Sequence, residues 1–292
     1  MKPSWKVSLA LGLLVLALLA GAGSASAWAP SASAAIHPGV MTFTGGSSFL
    51  GGGGQCTANF VYTDTSGAIY LGEAAHCSST GGSTGTNGCS THSLALGTPI
   101  YSGDLVNGGI QNGTEIGTLA YNSWIAMQGA HEKDASTCAY NDLALIRISA
   151  SQVGNVNPTV PFWGGPNGLA PGVSPQGDRV FSYGNSILRG GLSALSPKTG
   201  ISLGDPQATG GWSQELYTVT PGIPGDSGSG FMDVNGNALG VLSTVEFAPL
   251  PAANGVGTLA KEIAYANTAT GLGLKVAAGT TPFNAVPVPP AP

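Results

Sequence analysis

Short runs of strand-forming residues, each ended by glycine, proline, asparagine or serine, recur along most of this chain. They lie at 56–62, 67–71, 115–121, 143–148, 179–183, 214–219, 230–233 and 238–244. The dipeptide Asn235-Gly236, between the last two runs, is a strong signal for a tight hairpin. Many short strands joined by such turns predict a β-sandwich or a β-barrel.

A stretch low in charge and interrupted by prolines, at 151–165, divides these runs into two groups. The chain has 292 residues, of which 42% are hydrophobic, and this is enough for one large or two small packed domains. Two packed barrels would fit this division.

One segment departs from the strand pattern and predicts a helix. It begins at Leu259, and Ile263 and Ala266 share one face with that residue at helical spacing. Gly271 offers a stop signal. We predict a C-terminal helix over 259–272, followed by a proline-rich tail over 273–292 that is loose or extended.

The first 27 residues have the features of a secretory signal peptide. A basic start is followed by an apolar run at 7–20 and by the small-residue exit Ala25-Ser26-Ala27. The apolar run is shorter than a membrane span requires. We therefore predict cleavage after Ala27, secretion, and no membrane segment in the mature protein, with 28–41 as an N-terminal segment or a short pro-peptide.

Charge is sparse and slightly acidic, which restricts the possible partners. Charged residues make up 8% of the chain, the net charge is −5, and no cluster of lysine and arginine occurs. Nucleic acids and anionic membranes need concentrated positive charge on a protein that binds them. We therefore expect neither partner.

The four cysteines all follow the predicted signal peptide. In an exported protein an even number predicts two disulfides, for which three pairings are possible. A structural zinc site would need close pairs such as C-x-x-C, and the sequence has none. We therefore predict no metal and two disulfides. One pairing, Cys56 with Cys77 and Cys89 with Cys138, would hold the two segments that contain His76 and Asp142.

Three passages contain residue types used in nucleophilic hydrolysis: Glu73-Ala74-Ala75-His76-Cys77, Asn141-Asp142-Leu143-Ala144-Leu145-Ile146 and Gly225-Asp226-Ser227-Gly228-Ser229-Gly230. Glycines around Ser227 allow a sharp turn that exposes its hydroxyl, and a serine hydroxyl needs a base such as His76. Asp142 could orient that histidine. Taken singly, the same residues fit a surface turn, a structural histidine and a strand-end cap.

The three passages together resemble the A-A-H-C, D-[IL]-A-L-[IL] and G-D-S-G motifs of the trypsin/chymotrypsin family, in that family's order. The resemblance covers roughly 42 to 271. It implies an all-β fold of two six-stranded antiparallel Greek-key β-barrels with a C-terminal helix, the barrels spanning 42–155 and 156–258. It also implies a secreted, bacterial-type serine endopeptidase with a protein or peptide substrate and no cofactor, and we expect a monomer.

By the same resemblance, His76 is the general base, Asp142 orients it, and Ser227 is the nucleophile. The backbone amides of Gly225 and Ser227 form the oxyanion hole. The run Gly240-Val241-Leu242-Ser243-Thr244-Val245 resembles the family strand that lies beside the substrate. Ser243 would then donate a hydrogen bond to Asp142, and residues 243–245 (Ser243, Thr244 and Val245) would pair with the substrate backbone.

The resemblance also bears on the specificity pocket, whose floor lies six residues before the nucleophile. That position is Pro221 here, which disfavours lysine or arginine at the cleavage site. Val245 would narrow one wall and Gly255 would leave the other open, so we predict a small or medium apolar P1 residue. Glu246 at the rim could instead attract a basic residue.

The chain departs from the family in two respects that matter for the site. Glu73 stands where threonine or serine is usual, and a carboxylate there must be either solvated or paired. No Ile-Val-Gly-Gly sequence exists to supply the N-terminal amine that neutralises the aspartate beside the nucleophile in animal members. We predict that a buried arginine, Arg179 or Arg189, neutralises Asp226 instead.

Three rival functions are open. A protease-like binding module would retain the same residues in a distorted site. A serine esterase of the α/β-hydrolase type would need Gly-x-Ser-x-Gly with its histidine last in the chain, whereas His76 comes first. A structural or adhesive surface protein would leave the ordered histidine, aspartate and serine unexplained.

Overall fold

The computed structural model describes residues 28–45, 54–80, 87–103, 105–106, 109–110, 113–245 and 253–286. The predicted signal peptide at 1–27, Glu246 and the last six residues of the predicted tail lie outside these ranges. The strands are β1 (Met41–Thr44), β2 (Gln55–Thr57), β3 (Val61–Thr63), β4 (Ile69–Ala74), β5 (Pro99–Gly103), β6 (Leu105–Val106), β7 (Gly109–Ile110), β8 (Thr114–Asn122), β9 (Leu143–Ile148), β10 (Arg179–Tyr183), β11 (Pro197–Gly204), β12 (Ser213–Thr218), β13 (Gly230–Met232), β14 (Ala238–Val245), β15 (Asn254–Thr258) and β16 (Lys275–Val276). The helices are α1 (Ser123–Gly129), α2 (Ala135–Tyr140) and α3 (Leu259–Thr270).

The first β-unit is an antiparallel sheet of eight strands in the order β16-β3-β4-β9-β8-β5-β1-β2. Only three residues separate β2 from β3, so the chain bends there and brings two distant positions of the sheet together. At this corner the Ala58 amide donates to the Val40 carbonyl at 2.9 Å, and the Phe60 carbonyl accepts from the Gly72 amide at 2.9 Å. The sheet therefore curls round on itself.

The second β-unit is a closed barrel of six strands in the order β10-β11-β12-β15-β14-β13. Its hairpin between β13 and β14 turns at Asn235-Gly236, where Gly236 has φ of +75° and the Asp233 amide donates to the Asn237 carbonyl. A positive φ is a conformation that glycine adopts without steric cost. The hairpin predicted from this dipeptide is confirmed.

Apolar residues form one cluster inside each unit and a third cluster that joins the two units to α3. The first unit is filled by residues such as Leu71, Ile100, Leu119 and Ile146, and the second by Val180, Leu216, Phe231 and Val256. The joining cluster includes Phe60, Leu143, Phe181, Val241, Leu259 and Ile263. The two units thus share buried surface, and residues of one unit can hold residues of the other in place.

Two of the three helices are short and begin at side-chain caps. Asn122 accepts hydrogen bonds from the amides of Trp124 and Ile125 at the start of α1, and Asp134 accepts one from Thr137 at the start of α2. Neither helix was expected from the sequence. Helix α3 ends before Gly271, which has φ of +69°, so the predicted C-terminal helix and its stop signal are confirmed.

The all-β prediction with a C-terminal helix is confirmed, and two details differ. The first unit has eight strands instead of six, because the corner splits one strand into β2 and β3 and because β16 joins its edge. The described part of the predicted loose tail is packed: β16 pairs with β3, and the Asn284 amide donates to the Trp163 carbonyl at 2.8 Å. No helix within the described ranges is long and apolar enough to cross a membrane.

Candidate active site

His76 lies in a short 3₁₀ turn that directly follows β4. The turn is held by the Cys56–Cys77 disulfide and by the Ala75 amide, which donates to the Asp142 carbonyl at 2.8 Å. Asn122, the cap of α1, donates from its side chain to the Ala75 carbonyl at 3.0 Å. The histidine is therefore fixed by neighbours on both sides, while its side chain keeps 26% exposure.

Asp142 is 3% exposed and lies directly before β9. Its Oδ2 is 2.7 Å from His76 Nδ1, and its Oδ1 accepts from the His76 backbone amide at 2.9 Å. The hydroxyl of Ser243 on β14 donates to the same Oδ2 at 2.6 Å. The imidazole is thus oriented by a carboxylate that is itself held from the second unit, in the arrangement expected for a histidine base.

The pKa of the His76 imidazole results from opposing influences. Burial alone lowers the pKa of this group, whereas the charge of Asp142, its hydrogen bond and the nearby Glu73 raise it. The net pKa lies above the ordinary value of 6.5. A raised pKa makes the imidazole a better proton acceptor once it is neutral.

Ser227 lies on the loop between β12 and β13, and this loop contacts the first unit. The Ser227 carbonyl accepts from the Thr57 amide at 2.8 Å. At Gly228 an added Cβ would lie 2.7 Å from the Thr57 carbonyl oxygen and 2.8 Å from the Ala74 nitrogen, so only glycine fits there. The loop therefore lies against the end of β4, two residues before His76.

The Ser227 loop and the turn that holds His76 are neighbours, but the two side chains are not hydrogen-bonded. Among the hydrogen bonds of the described residues, none joins these two side chains, whereas the one between His76 and Asp142 is present. Hydrogen bonds between catalytic groups are often long in a free enzyme and shorten when substrate binds.

Gly225 and Ser227 present backbone amides that donate to no acceptor within the described ranges. The two amides that alternate with them are occupied, since Asp226 N donates to the Ile223 carbonyl at 2.9 Å and Gly228 N to the Leu242 carbonyl at 2.7 Å. Gly225 has φ of +96°, and an added Cβ would lie 2.1 Å from Gln55 Oε1. These two amides are available to an oxyanion.

The same loop is fixed by two side chains of the first unit. The Gly225 carbonyl accepts from Thr57 Oγ1 at 2.7 Å and from Gln55 Nε2 at 2.9 Å. Both donors belong to β2, next to Cys56. The orientation of the Gly225 peptide therefore depends on contact between the two units.

Asp226 is fully buried and is neutralised by two cations. Its Oδ2 accepts from Arg189, from Lys198 Nζ at 3.0 Å and from the Ile223 amide at 3.1 Å. Of the two arginines proposed from the sequence, Arg189 is the partner. Arg179 is not, because its guanidinium lies over the Phe181 ring at 5.0 Å.

Glu73, whose state the sequence left open, is fully buried and paired with hydroxyl groups. Thr42 donates to its Oε2 at 2.7 Å and Thr44 to its Oε1 at 3.1 Å. Burial raises the pKa of this carboxyl to about 7, although the two hydrogen bonds and His76 act in the opposite direction. Among the described residues, no ion pair joins Glu73 to a cation.

The four cysteines form the pairs Cys56–Cys77 and Cys89–Cys138. The first pair joins β2 to the turn of His76. The second joins α2 to the loop that precedes β5, where the Gly88 amide donates to the Cys138 carbonyl at 2.8 Å. The prediction of two disulfides is confirmed, and of the three possible pairings this is the one that occurs.

The residues expected to line the specificity pocket are placed as follows. The Pro221 carbonyl accepts from Lys198 Nζ at 3.1 Å, so the buried cation lies directly behind this residue. Thr244 on β14 pairs with Gly255 on β15. Val245 ends β14, and its side chain lies outside the described part of the chain.

Sequence reasoning missed several residues that hold the site: Gln55, Thr57, Asn122, Lys198 and Glu262. Asn122 could have been found as a polar residue before a short run of helix formers. Glu262 could have been found because it shares the apolar face of α3 with Leu259, Ile263 and Ala266 at helical spacing. Lys198 gives no such signal, since lysine is ordinarily exposed.

Comparison with solved structures gives weak similarities to serine proteases. A glutamic acid specific serine protease that uses a histidine triad in substrate binding is 16% identical, with a TM-score of 0.47, covering 83% of this chain and 100% of the other. A Glu endopeptidase is 17% identical (TM-score 0.48; 81% and 93% covered). Thermobifida fusca protease A is 14% identical (TM-score 0.45; 84% and 99% covered).

No protein-family model matches the chain, and no curated protein matches it. Similarity at this level assigns no role to any residue of the chain.

Proposed function

We propose that this protein is a secreted serine endopeptidase in which His76, Asp142 and Ser227 act as a catalytic triad. The observation that carries the proposal is the Asp142-oriented imidazole beside a glycine-flanked serine loop with two unused amides. Each part has a separate chemical use, as base, nucleophile and oxyanion hole. A structural role for His76 alone would leave the two amides unexplained.

The proposed mechanism is acyl transfer in two halves, with Ser227 as the nucleophile and His76 as the group that accepts and returns the proton. Neutral His76 accepts the Ser227 proton as the serine oxygen attacks the substrate carbonyl, and the amides of Gly225 and Ser227 hold the oxyanion. The imidazolium then donates its proton to the leaving amine, and the acyl-enzyme forms. Water repeats the sequence, releasing the acid product and restoring Ser227. Asp142 remains charged and stabilises the imidazolium throughout.

Labelling with a fluorophosphonate probe tests this proposal. The secreted protein should label at Ser227 and hydrolyse peptides, and Ser227→Ala should abolish labelling and lower turnover by about three or more orders of magnitude. Ser229→Ala is the matched control in the same loop, because that hydroxyl is buried without a partner, and it should still label. An unlabelled wild type would contradict the proposal.

A second candidate is a protease-like binding module that does not hydrolyse its ligand. It is favoured by the missing hydrogen bond between Ser227 and His76 among the described residues. Such a protein would bind peptides with the same affinity in the wild type and in Ser227→Ala, and the wild type would not label.

For the cleavage site we propose a small or medium apolar P1 residue. Pro221 supplies no acidic side chain to pair with lysine or arginine, and its carbonyl already accepts a hydrogen bond from Lys198. A digest of a peptide library by wild-type protein should show cleavage after apolar residues. Dominant cleavage after lysine or arginine would contradict this assignment.

Secretion by a cleaved signal peptide is part of the proposal. Sequencing the N-terminus of the active extracellular protein should find Trp28 if residues 1–27 alone are removed, or a later residue if 28–41 includes a pro-peptide. The Ala29 amide donates to the Val156 carbonyl at 2.9 Å, which supports retention of this segment. Detection of the protein only inside cells would contradict secretion.

A further inference from the structure

Glu262 is a buried acid directly behind Asp142. It lies on the apolar face of α3 and is fully buried, and its Oε1 accepts from the Asp142 backbone amide at 3.0 Å. Gly257 makes room for it, because an added Cβ at that position would lie 2.5 Å from Glu262 Oε1. The backbone contact to Asp142 on one side and the close approach of Gly257 on the other indicate a fitted position.

The carboxylate and the amide of Asp142 are therefore held by three residues from different parts of the molecule. His76 contacts its carboxylate oxygens, Ser243 donates to Oδ2, and Glu262 accepts from its amide. Two of these partners, Ser243 and Glu262, come from the C-terminal half of the chain. Without Glu262 the amide of Asp142 would be buried with no acceptor, which is costly for a backbone group.

The surroundings of the Glu262 carboxyl within the described residues offer it no cation as a partner. No ion pair among the described residues includes it, and its Oε2 has no hydrogen-bond partner there. Asp142 lies on one side, with His76 beyond it, and the buried hydroxyls of Tyr62 and Tyr121 are within electrostatic range. The neighbouring Lys261 is turned away, with its amine over the Trp212 ring at 5.2 Å.

We propose that Glu262 is a positioning residue of the active site, which holds Asp142 through its backbone amide as a neutral carboxylic acid. The inference rests on the proposed function. A neutral acid supplies the acceptor that the Asp142 amide needs and adds no second negative charge beside the carboxylate that orients His76. An ionised group in the same place would repel Asp142 across a medium of low dielectric constant.

The protonation of Glu262 makes the arrangement sensitive to alkaline pH. Burial raises the pKa of this carboxyl to about 8, with the charge of Asp142 acting in the same direction and the hydrogen bond from the Asp142 amide opposing it. The folded protein therefore keeps a proton that the unfolded chain loses near its ordinary pKa of 4.5. The stabilising contribution is complete below about 4.5 and is lost as the pH rises through about 8.

The test compares Glu262→Gln with Glu262→Leu by the pH profiles of kcat, KM and unfolding. Leucine removes the acceptor, so kcat should fall roughly ten- to a hundredfold with little change in KM, because the cleft is not touched. Glutamine keeps an acceptor oxygen, so it should restore most of that loss. Glutamine cannot ionise, so the alkaline decline of kcat near pH 8 in the wild type should disappear.

Exposed Glu115 supplies the matched control, since Glu115→Gln should leave the alkaline decline in place. A Glu262→Gln enzyme that keeps the wild-type decline near pH 8 overturns the proposal, as does a Glu262→Leu enzyme with wild-type kcat. If Glu262→Leu does not fold, the glutamine profile decides. Fluorophosphonate labelling of the wild type at pH 7 is measured alongside, because its absence would refute the proposed function and not the role of Glu262.

Discussion

Glu73 in the first β-unit and Asp226 in the second are both fully buried carboxyl groups within a few residues of the proposed catalytic side chains. They are accommodated in different ways. Glu73 has two threonine hydroxyls and no cation, and its pKa is raised to about 7. Asp226 has two cations, Arg189 and Lys198, on one oxygen.

The difference shows two solutions to the cost of burying a carboxylate. A group without a cation can remain in the apolar interior by keeping its proton, whereas a group that must stay charged needs ion pairs. Asp226 lies between Gly225 and Ser227 in the loop that presents their amides, so its ion pairs help to hold the backbone of the proposed oxyanion hole. Glu73 lies on β4 and affects the pKa of His76 only through its electric field.

The largest expected effect is the loss of both cations from Asp226. In the double variant Arg189→Met with Lys198→Met the buried carboxylate is unpaired, and the free energy of unfolding should fall by about 3–5 kcal/mol. Each single variant leaves one cation and should lose less than half of that amount, so the pair should be more than additive in a double-mutant cycle. Urea unfolding at pH 7 measures this.

Arg179→Met is the matched control for this experiment. Arg179 lies exposed over the Phe181 ring, so its loss should cost about 1 kcal/mol or less. An equal loss in the free energy of unfolding for Arg179→Met and Arg189→Met would contradict the prediction that the buried arginine contributes more to stability than the exposed one.

A smaller effect is expected at Glu73, and it should depend on pH. The pKa of Glu73 is about 7 in the folded protein, whereas its ordinary value is 4.5. Between these two pH values the folded protein holds a proton that the unfolded chain has lost. Stability contributed by this proton is complete below about pH 4.5 and is lost as the pH rises through about 7. Glu73→Gln should therefore gain up to about 3 kcal/mol relative to the wild type between pH 4.5 and pH 8.

Thermal or urea unfolding across that range measures the Glu73 effect, with Glu115→Gln as the exposed control. A constant difference between Glu73→Gln and the wild type at every pH would mean that the carboxyl does not titrate in the folded protein.

The smallest expected effect concerns the pH at which the site becomes reactive. The pKa of His76 is raised above 6.5, so labelling of Ser227 should increase with pH through a midpoint above that value, as the imidazole becomes neutral. The negative charge of Glu73 contributes to this raised pKa. Glu73→Gln should move the midpoint to lower pH by less than about one unit. A shift to higher pH would show that Glu73 acts on His76 by some route other than its charge.

Several parts of this fold could be predicted from the sequence because the signals are local. The strands β9 and β10 begin and end where the sequence predicts them, since each is a run of strand formers with turn residues at its ends. Strands β5 and β11 were not expected, because glycine and proline within them weaken the pattern, and β1 was not expected because four residues are too few to show a clear alternation. The short helices α1 and α2 rely on caps and packing more than on propensity.

The sequence by itself determined the strand-and-turn pattern, the final helix and the candidate residues His76, Asp142 and Ser227, because each depends on neighbours along the chain. Only the tertiary structure decided that Arg189 and Lys198 meet Asp226, that Thr42 and Thr44 cover Glu73, and that Glu262 lies behind Asp142. These contacts join residues tens to more than a hundred positions apart. The protonation and energy of a buried charge depend on which distant groups surround it, and local sequence patterns do not contain that information.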